Sequence, residues 1–462
     1  PATEALWRFL LGHKDAQDFG RKLKISFSGC GGEACAMARM HDIGLIATTR
    51  DGRRGFEYYV GGGLGAVPHQ APLLYEFVPE EELLPVSQCV CRIFSRLGEK
   101  KNRSKARIKF LVAKLGIDEF RRLVEEERQT LPHDDRWTAW IGKNEKAPEE
   151  ALLAGAERNG APRPEGFDDW VAHNVKPQRQ PGYCTVELAL PLGDFTAAQS
   201  RALADIARTY VGETTGLRFT VEQNIVMRWI PADRLIGLYR ALAAARLAAP
   251  GAQTIVDITA CPGTDTCKLG IAASRGLAGE LRERLAGKQY ELDEAVRGLK
   301  IKVSGCFNSC GQHHVADIGF YGVTRKRHGY SVPHFQMILG GQMQHNAHSY
   351  GLPQFAIPAK RIPEAIDRLT GWYATEREAD EGFQDFIKRM GKKPLKELLK
   401  DLTEIAPYEE EPTPYTDWHV TDQDAASGQY CAANVGAMTV RQDFAGVPTE
   451  QILEVSLWIK TG

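Results

Sequence analysis

Hydrophobic positions along the chain follow two periods. Short runs alternate apolar with polar residues, and longer runs place apolar residues every three to four positions, the signatures of strands and amphipathic helices. Ile25–Ser28 and Ile301–Ser304 read as short strands, both ending in Ser-Gly-Cys. Phe56–Val60 and Phe335–Leu339 read as later strands, each running into a glycine turn. Helical periodicity follows over Glu80–Leu97 and Lys105–Glu127, and again over Arg361–Glu376 and Ala379–Lys400. In between, Cys184–Pro191, Leu217–Gln223 and Ile225–Trp229 read as strands, with helices over Thr196–Tyr210 and Ala232–Ala245. The fold class is therefore mixed α+β.

The pattern also repeats. Lys24–Cys30 matches Lys300–Cys306 at an offset of 276, and Asp42-Ile43-Gly44 matches Asp317-Ile318-Gly319 at 275. Gly62-Gly63 matches Gly340-Gly341, and Phe77-Val78-Pro79 matches Ala356-Ile357-Pro358. Ordered anchors at nearly one offset predict an internal duplication. Residues 1–130 form the first repeat, 131–180 a polar Pro- and Gly-rich linker, 181–250 a compact α+β unit, 251–406 the second repeat and 407–462 an acidic tail. The α+β unit precedes only the second repeat. A matching unit ahead of the first would lie before Pro1, so the chain is expected to lack roughly ninety or more residues at its front.

Composition narrows the function class. Lys plus Arg number 58 and Asp plus Glu 59, so no global field recruits nucleic acid or a membrane surface. The longest apolar stretches, such as Leu238–Ala249, are broken by arginine and fall short of the ~20 residues of a membrane span. Ten cysteines in 462 residues are too dilute for a disulfide-stapled secreted domain. A metal or redox site in a reducing compartment, the cytoplasm, fits better.

Four of the cysteines form a constellation. Cys261 and Cys267 are spaced C-x5-C, and Cys306 and Cys310 are spaced C-x3-C, among Gly, Asn and Ser. Thiolates converging from such loops suit an iron–sulfur cluster, because close backbone can donate N–H groups to sulfur. A helix expected over Lys268–Leu285 would open at Cys267, its positive end facing an anionic cluster. Structural zinc, disulfides and inert buried thiols are the alternatives, and C-x5-C is wide for zinc.

These cysteines, followed by Gly311-Gln312-His313-His314-Val315-Ala316-Asp317-Ile318-Gly319, resemble the sirohaem- and [4Fe–4S]-containing nitrite/sulfite reductase family. The likeness extends from about Arg21 to Glu404 and includes Gly61–Gly65, Asn102–Arg107 and Thr220-Val221-Glu222-Gln223-Asn224. It implies the duplicated nitrite/sulfite reductase architecture, with a ferredoxin-like half-domain and two sirohaem/4Fe–4S-type α/β domains. It also implies a [4Fe–4S] cluster on Cys261, Cys267, Cys306 and Cys310, with Cys310 shared with the sirohaem iron. Cys30 and Cys35 stand at the matching place in the first repeat and read as relics or buried thiols rather than a second cluster. Cys89, Cys91, Cys184 and Cys431 read as packing residues.

The resemblance further implies a small oxyanion, sulfite or nitrite, reduced by six electrons from a partner, ferredoxin by expectation. Such a pocket needs cationic donors. Lys22 and Lys24, expected on one face of a strand, match a Lys-x-Lys pair of the family that reaches the substrate. Relatives of the plant nitrite type carry asparagine at the second lysine, so Lys24 leans toward sulfite. Without the resemblance these lysines would read as a solvated strand end. Eight Lys/Arg crowd Arg92–Lys109, where Arg103, Lys105 and Arg107 are expected to grip sirohaem carboxylates, as against a solvated helix face or a surface for an acidic partner. His313 and His314 are open between proton transfer, a cofactor contact and packing. A chain missing its front would lack the family's substrate-binding arginines there, so a non-catalytic cofactor- or zinc-binding fragment is the competing class.

Overall fold

The computed structural model describes residues 1–34, 36–142, 151–155, 162–212, 216–288 and 292–418. Three sheets organise them. In the first, β1 (Ile25–Ser28), β2 (Ile43–Arg50), β3 (Arg53–Val60) and β4 (Leu73–Pro79) lie in sequence order. β1 and β2 are parallel, with Ile25 opposite Ile43, and the rest are antiparallel hairpins. In the second, β5 (Val175–Pro177), β6 (Tyr183–Leu188), β7 (Leu217–Phe219) and β8 (Ile225–Pro231) are antiparallel in the order β5-β6-β8-β7. In the third, β9 (Thr259–Ala260), β10 (Ile301–Ser304), β11 (Ile318–Arg327), β12 (Tyr330–Leu339) and β13 (Leu352–Pro358) lie in reverse order. β9, β10 and β11 are parallel, and β12 and β13 return antiparallel.

The first and third sheets are two copies of one unit. Each has a separate core in which one sheet face packs on helices, around Tyr58, Val90 and Phe120 in one and Phe320, Phe335 and Leu369 in the other. The two long helical patterns both break at a glycine. Ile108–Leu115 and Ile117–Thr130 are separated by Gly116 at φ 82, and Phe383–Met390 and Lys392–Leu398 by Gly391 at φ 73. That left-handed backbone suits only glycine without strain, so periodicity carried across it misses the break. The helix Ala197–Tyr210 of the middle unit starts on a reciprocal Thr196–Gln199 capping box.

The stretch 131–180 is less of a linker than its composition suggests. Trp137 and Trp140 are buried in the first core, while the helix Phe167–Asn174 puts Phe167 and Trp170 into the core of the middle unit. Isolated aromatic anchors lack the periodicity that identifies an element. The start of the tail is also bound: Tyr415 packs on Val332 and Ile405, and Asp417 accepts the Ala273 N–H at 2.8 Å. Among the described residues no helix is long and apolar enough to cross a membrane.

The repeats clasp each other through matching loops after β3 and β12, each closed by an isolated bridge, Gly63 with His69 and Gln342 with Ser349. Tyr350 Oη donates to the His69 carbonyl at 3.1 Å, and Asn346 Nδ2 to the Cys30 carbonyl at 2.7 Å. Met37, Met40, Val315 and Met343 fill the space between.

Candidate metal and anion site

β9 and β10 run side by side with Ala260 opposite Val303, so their ends deliver Cys261 and Cys306 to one edge of the sheet. The Gly305 N–H donates to Cys261 Sγ at 3.1 Å. A Cβ on Gly305 would lie 2.5 Å from Gly263 Cα, so the two cysteine loops meet backbone to backbone. Ser274 Oγ donates to the Cys261 carbonyl at 2.7 Å. Cys261 and Cys306 are buried, while Cys267 and Cys310 reach solvent.

Electrostatics tie the four thiols together. Burial pushes the Cys310 thiol up, and negative charge on Cys261, Cys306 and Cys267 pushes it further. Burial likewise raises Cys306, opposed by hydrogen bonds from Asn308, with Cys261 and Cys267 raising it again. Among the described residues no group of three or more His, Cys, Asp or Glu is gathered tightly enough to hold a single metal ion. Thiols whose ionisation burial and neighbouring sulfurs oppose, with an N–H aimed at one sulfur, fit a cationic cluster of metal ions, which would draw them to the ionised form.

The expected helix start at Cys267 is corrected. The helix runs Ser274–Ala286, and Cys267 lies in a turn whose N–H donates to the Gly263 carbonyl at 3.0 Å. A Cβ on Gly270 would come within 2.7 Å of Gly263 C, so the chain must fold back there before a helix can begin. The negative end-group of that helix is Asp417, from the tail.

The first repeat supplies the opposing charge. Lys22 and Lys24 precede β1 in irregular chain rather than alternating on a strand, and both side chains are exposed. The Lys24 N–H donates to Asp42 Oδ2 at 2.9 Å, which fixes the segment. Although solvent reaches Lys24, crowding around its ammonium lowers its pKa first, with Lys22 and Arg107 lowering it further. Asp42 and Cys310 act the other way, and Lys24 in turn lowers the Cys310 thiol. A cation of one repeat thus faces the last cysteine of the other.

Arg107 is placed differently from its expected role. Its Nε and Nη2 donate to Asp42 Oδ1 and Oδ2 at 3.0 and 2.6 Å, so two of its donors are committed to a fully buried carboxylate. In the second repeat the corresponding Asp317 accepts the Lys300 N–H at 2.7 Å and Gln384 Nε2 at 2.6 Å. The dense basic run is also divided: Arg92 and Arg96 pair with Glu127, and Lys100 with Asp18. Arg103 and Lys105, on an exposed turn capped by Asn102, keep no carboxylate partner among the described residues.

Other residues also join the site. Lys109 is buried and donates to the carbonyls of Leu64 and Val67, its pKa down to about 8 from burial and from Arg107. His41 is held to about 4 by burial, Lys24 and Arg107. Arg39 reaches His348 at 2.6 Å across the repeats and leaves Nε buried without a partner. Ser309 Oγ, His313 Nε2, His314 Nδ1 and Asn346 Oδ1 are likewise buried and unpartnered. His314 Nε2 lies 3.2 Å from the Gly65 carbonyl, and the His313 ring stacks on Tyr321. Unsatisfied buried polar atoms beside a cluster of cations fit a bound polyanionic group. Asp42 and Asp317 had a signal in the sequence as the paired Asp-Ile-Gly anchors, Lys109 in the basic run and His313 and His314 beside the cysteines, whereas Arg39, His41 and Asn346 had none.

Cys89, Cys91 and Cys184 are buried, with Cys89 and Cys91 pushed up to about 12 by burial. Cys30 is a half-buried free thiol, and Cys35 and Cys431 lie outside the described residues.

The family model described as the nitrite and sulphite reductase 4Fe-4S domain matches residues 1–131 and 251–405, and that of the nitrite/sulfite reductase ferredoxin-like half domain matches 176–245. A sulfite reductase [ferredoxin] 2 from Mycolicibacterium paratuberculosis is 29% identical over 395 residues, covering 84% of this chain and 65% of that protein. A ferredoxin–nitrite reductase from Synechococcus elongatus is 28% identical over 364 residues, covering 78% of this chain and 64% of its own length. The chain thus spans slightly less than two thirds of these relatives. The solved structure of the Mycobacterium tuberculosis NirA protein matches with a TM-score of 0.66 at 28% identity, covering 85% of this chain and 67% of that one.

Proposed function

The chain belongs to the nitrite and sulphite reductase family, and from that premise we propose that it reduces sulfite to sulfide with six electrons supplied singly by a ferredoxin-type partner. Sulfite sheds its three oxygens as water and takes up six protons. When bound, a sirohaem coupled to a [4Fe–4S] cluster supplies the electron storage and the open iron position that such chemistry requires. Cys261, Cys267, Cys306 and Cys310 would hold the cluster, with Cys310 shared with the sirohaem. Arg103 and Lys105, joined by Arg39 and Lys109, would hold the sirohaem carboxylates, and Arg107 would act mainly by fixing Asp42 and the strand entry.

The observation that carries this reading is the mutual electrostatic effect of Lys24 and Cys310 across the duplication. It sets a cationic donor beside the thiolate expected to bridge both cofactors. Lys22 and Lys24 bind the oxyanion through charge-assisted hydrogen bonds. A lysine whose pKa is lowered by burial and by neighbouring cations also gives up its proton more readily, which suits delivery to a leaving oxygen. We place the chain in the cytoplasm, where its free thiols stay reduced.

Nitrite reduction to ammonia is the second reading, favoured by the nitrite-reducing names among the relatives. Steady-state turnover of sulfite and nitrite with reduced methyl viologen separates the two. A higher kcat/KM for sulfite supports the first, and a much higher value for nitrite reverses the order.

A further inference from the structure

On the outer face of the third sheet, a cleft opens between β11–β13 and the chain at Thr403–Ile405. Arg325, Arg327 and Lys396 line it, with Phe355 as its apolar wall and Glu404 as its one acid. Arg325 and Arg327 are two apart on β11 and so share a face. Lys392 and Lys396 are four apart on the helix Lys392–Leu398 and share a side of it. With Lys393 and Lys400 they make six exposed cations.

Many other surface cations of this repeat are paired. Arg284 and Lys288 pair with Asp367, Arg361 with Glu411, Arg368 with Glu364 and Asp401, Arg377 with Asp293, and Arg389 with Glu381. Among the described residues no carboxylate forms an ion pair with any of these six cations. Gathered like charges repel, so a surface that groups cations here without matching carboxylates is complementary to an anion from outside. Lys392 and Lys396 stand on the helix and Arg325 and Arg327 on the strand, so the charge is spread over two elements rather than gathered around one small anion.

The cleft also lies close to the cysteines. A Cβ on Gly322 would sit 2.4 Å from the carbonyl oxygen of Gly305, the residue before Cys306. Arg325 is three residues farther along the same strand, about 10 Å at ~3.3 Å per residue.

We infer that this cleft is the docking surface for the acidic face of the protein that brings electrons to this chain, an inference that rests on the reductase reading above. Each docking event passes one electron: the donor is oxidised by one, and the cluster on the four cysteines is reduced by one. Six such events complete a turnover.

The test uses the holoprotein, a purified plant-type [2Fe–2S] ferredoxin as the donor probe and heparin as a charge-only probe. Binding is followed by calorimetry, and turnover is followed separately with reduced methyl viologen. Arg325→Glu/Arg327→Glu and, independently, Lys396→Glu are expected to raise the ferredoxin Kd by about tenfold or more at low salt, to flatten its salt dependence, and to leave viologen turnover unchanged. An unchanged ferredoxin Kd in both variants overturns the proposal, as does a loss confined to heparin. If viologen turnover is absent in the parent protein, the reductase reading fails while the calorimetry still decides the docking surface.

Discussion

Arg107 clasps Asp42 through two parallel hydrogen bonds, and the same carboxylate holds the backbone N–H of Lys24. In the other repeat Asp317 plays the same backbone role toward Lys300 but is matched by the neutral Gln384. The duplication has thus diverged by one charge at equivalent places. The cation stands in the half that carries Lys22 and Lys24, the neutral amide in the half that carries the four cysteines.

Asp42→Asn should be the more damaging change in this pair. It leaves a largely buried guanidinium without its counter-charge, which costs on the order of 3–5 kcal/mol. Arg107→Gln should cost less, because Gln384 demonstrates that a glutamine can satisfy this carboxylate. Urea unfolding of both variants checks the order, and equal losses would remove the special role of the pair.

Stability should fall as pH drops from about 6.5 to 4. Burial holds His314 and His334 to about 4, well below the ordinary histidine value. Their neutral forms are favoured by folding, so their contribution is complete above 6.5 and lost as pH falls through 4. Each is worth about 3 kcal/mol at most over that window. Asp317, raised to about 6 by burial, works in the opposite sense, since its folding contribution is present below 3.8 and lost as pH rises through 6. Denaturation midpoints at pH 7, 6 and 5 should therefore decline, and His334→Gln should flatten the decline. A flat profile in the parent would contradict these burial shifts.

Lys22→Ala and Lys24→Ala should each lower viologen-driven kcat by about 10²-fold, the usual loss when one charge-stabilising donor is removed from a reacting site. Cofactor content should be unchanged, since neither lysine is expected to hold the cluster. A loss of cofactor, or an unaltered kcat, would reassign them to structure.

The sequence conveyed much of this arrangement and missed some of it for definable reasons. The strands β1 and β10 and the repeat itself were legible because period-two alternation and fixed offsets survive divergence. The breaks at Gly116 and Gly391 were missed because apolar spacing runs across a single left-handed residue. The cysteine spacing singled out four thiols, two of which the side-by-side strands β9 and β10 carry to one edge of the third sheet. The commitment of Arg107 to Asp42 was invisible, since the partners are 65 residues apart. The Arg39–His348 contact, between residues 309 apart, had no local trace either.

The same holds for Asp417, which caps the helix Ser274–Ala286 from 144 residues away. Asp417→Ala should cost about 1–2 kcal/mol, as a lost helix cap does. Because that helix backs Cys261 through Ser274, iron should also be lost faster to a chelator than from the parent protein. An unchanged unfolding midpoint and release rate would reduce the contact to surface packing.

The central claim is that four cysteines hold an iron–sulfur cluster joined to a sirohaem. Iron and acid-labile sulfide analysis with a visible spectrum, on anaerobically purified protein, tests it most directly. About five iron, four in the cluster and one in the sirohaem, and four acid-labile sulfide per chain with a Soret band are expected. Cys310→Ser should abolish the coupling between the two cofactors, and Cys35→Ser should leave the spectrum as it was. Zinc in place of iron, with no Soret band, would contradict the account.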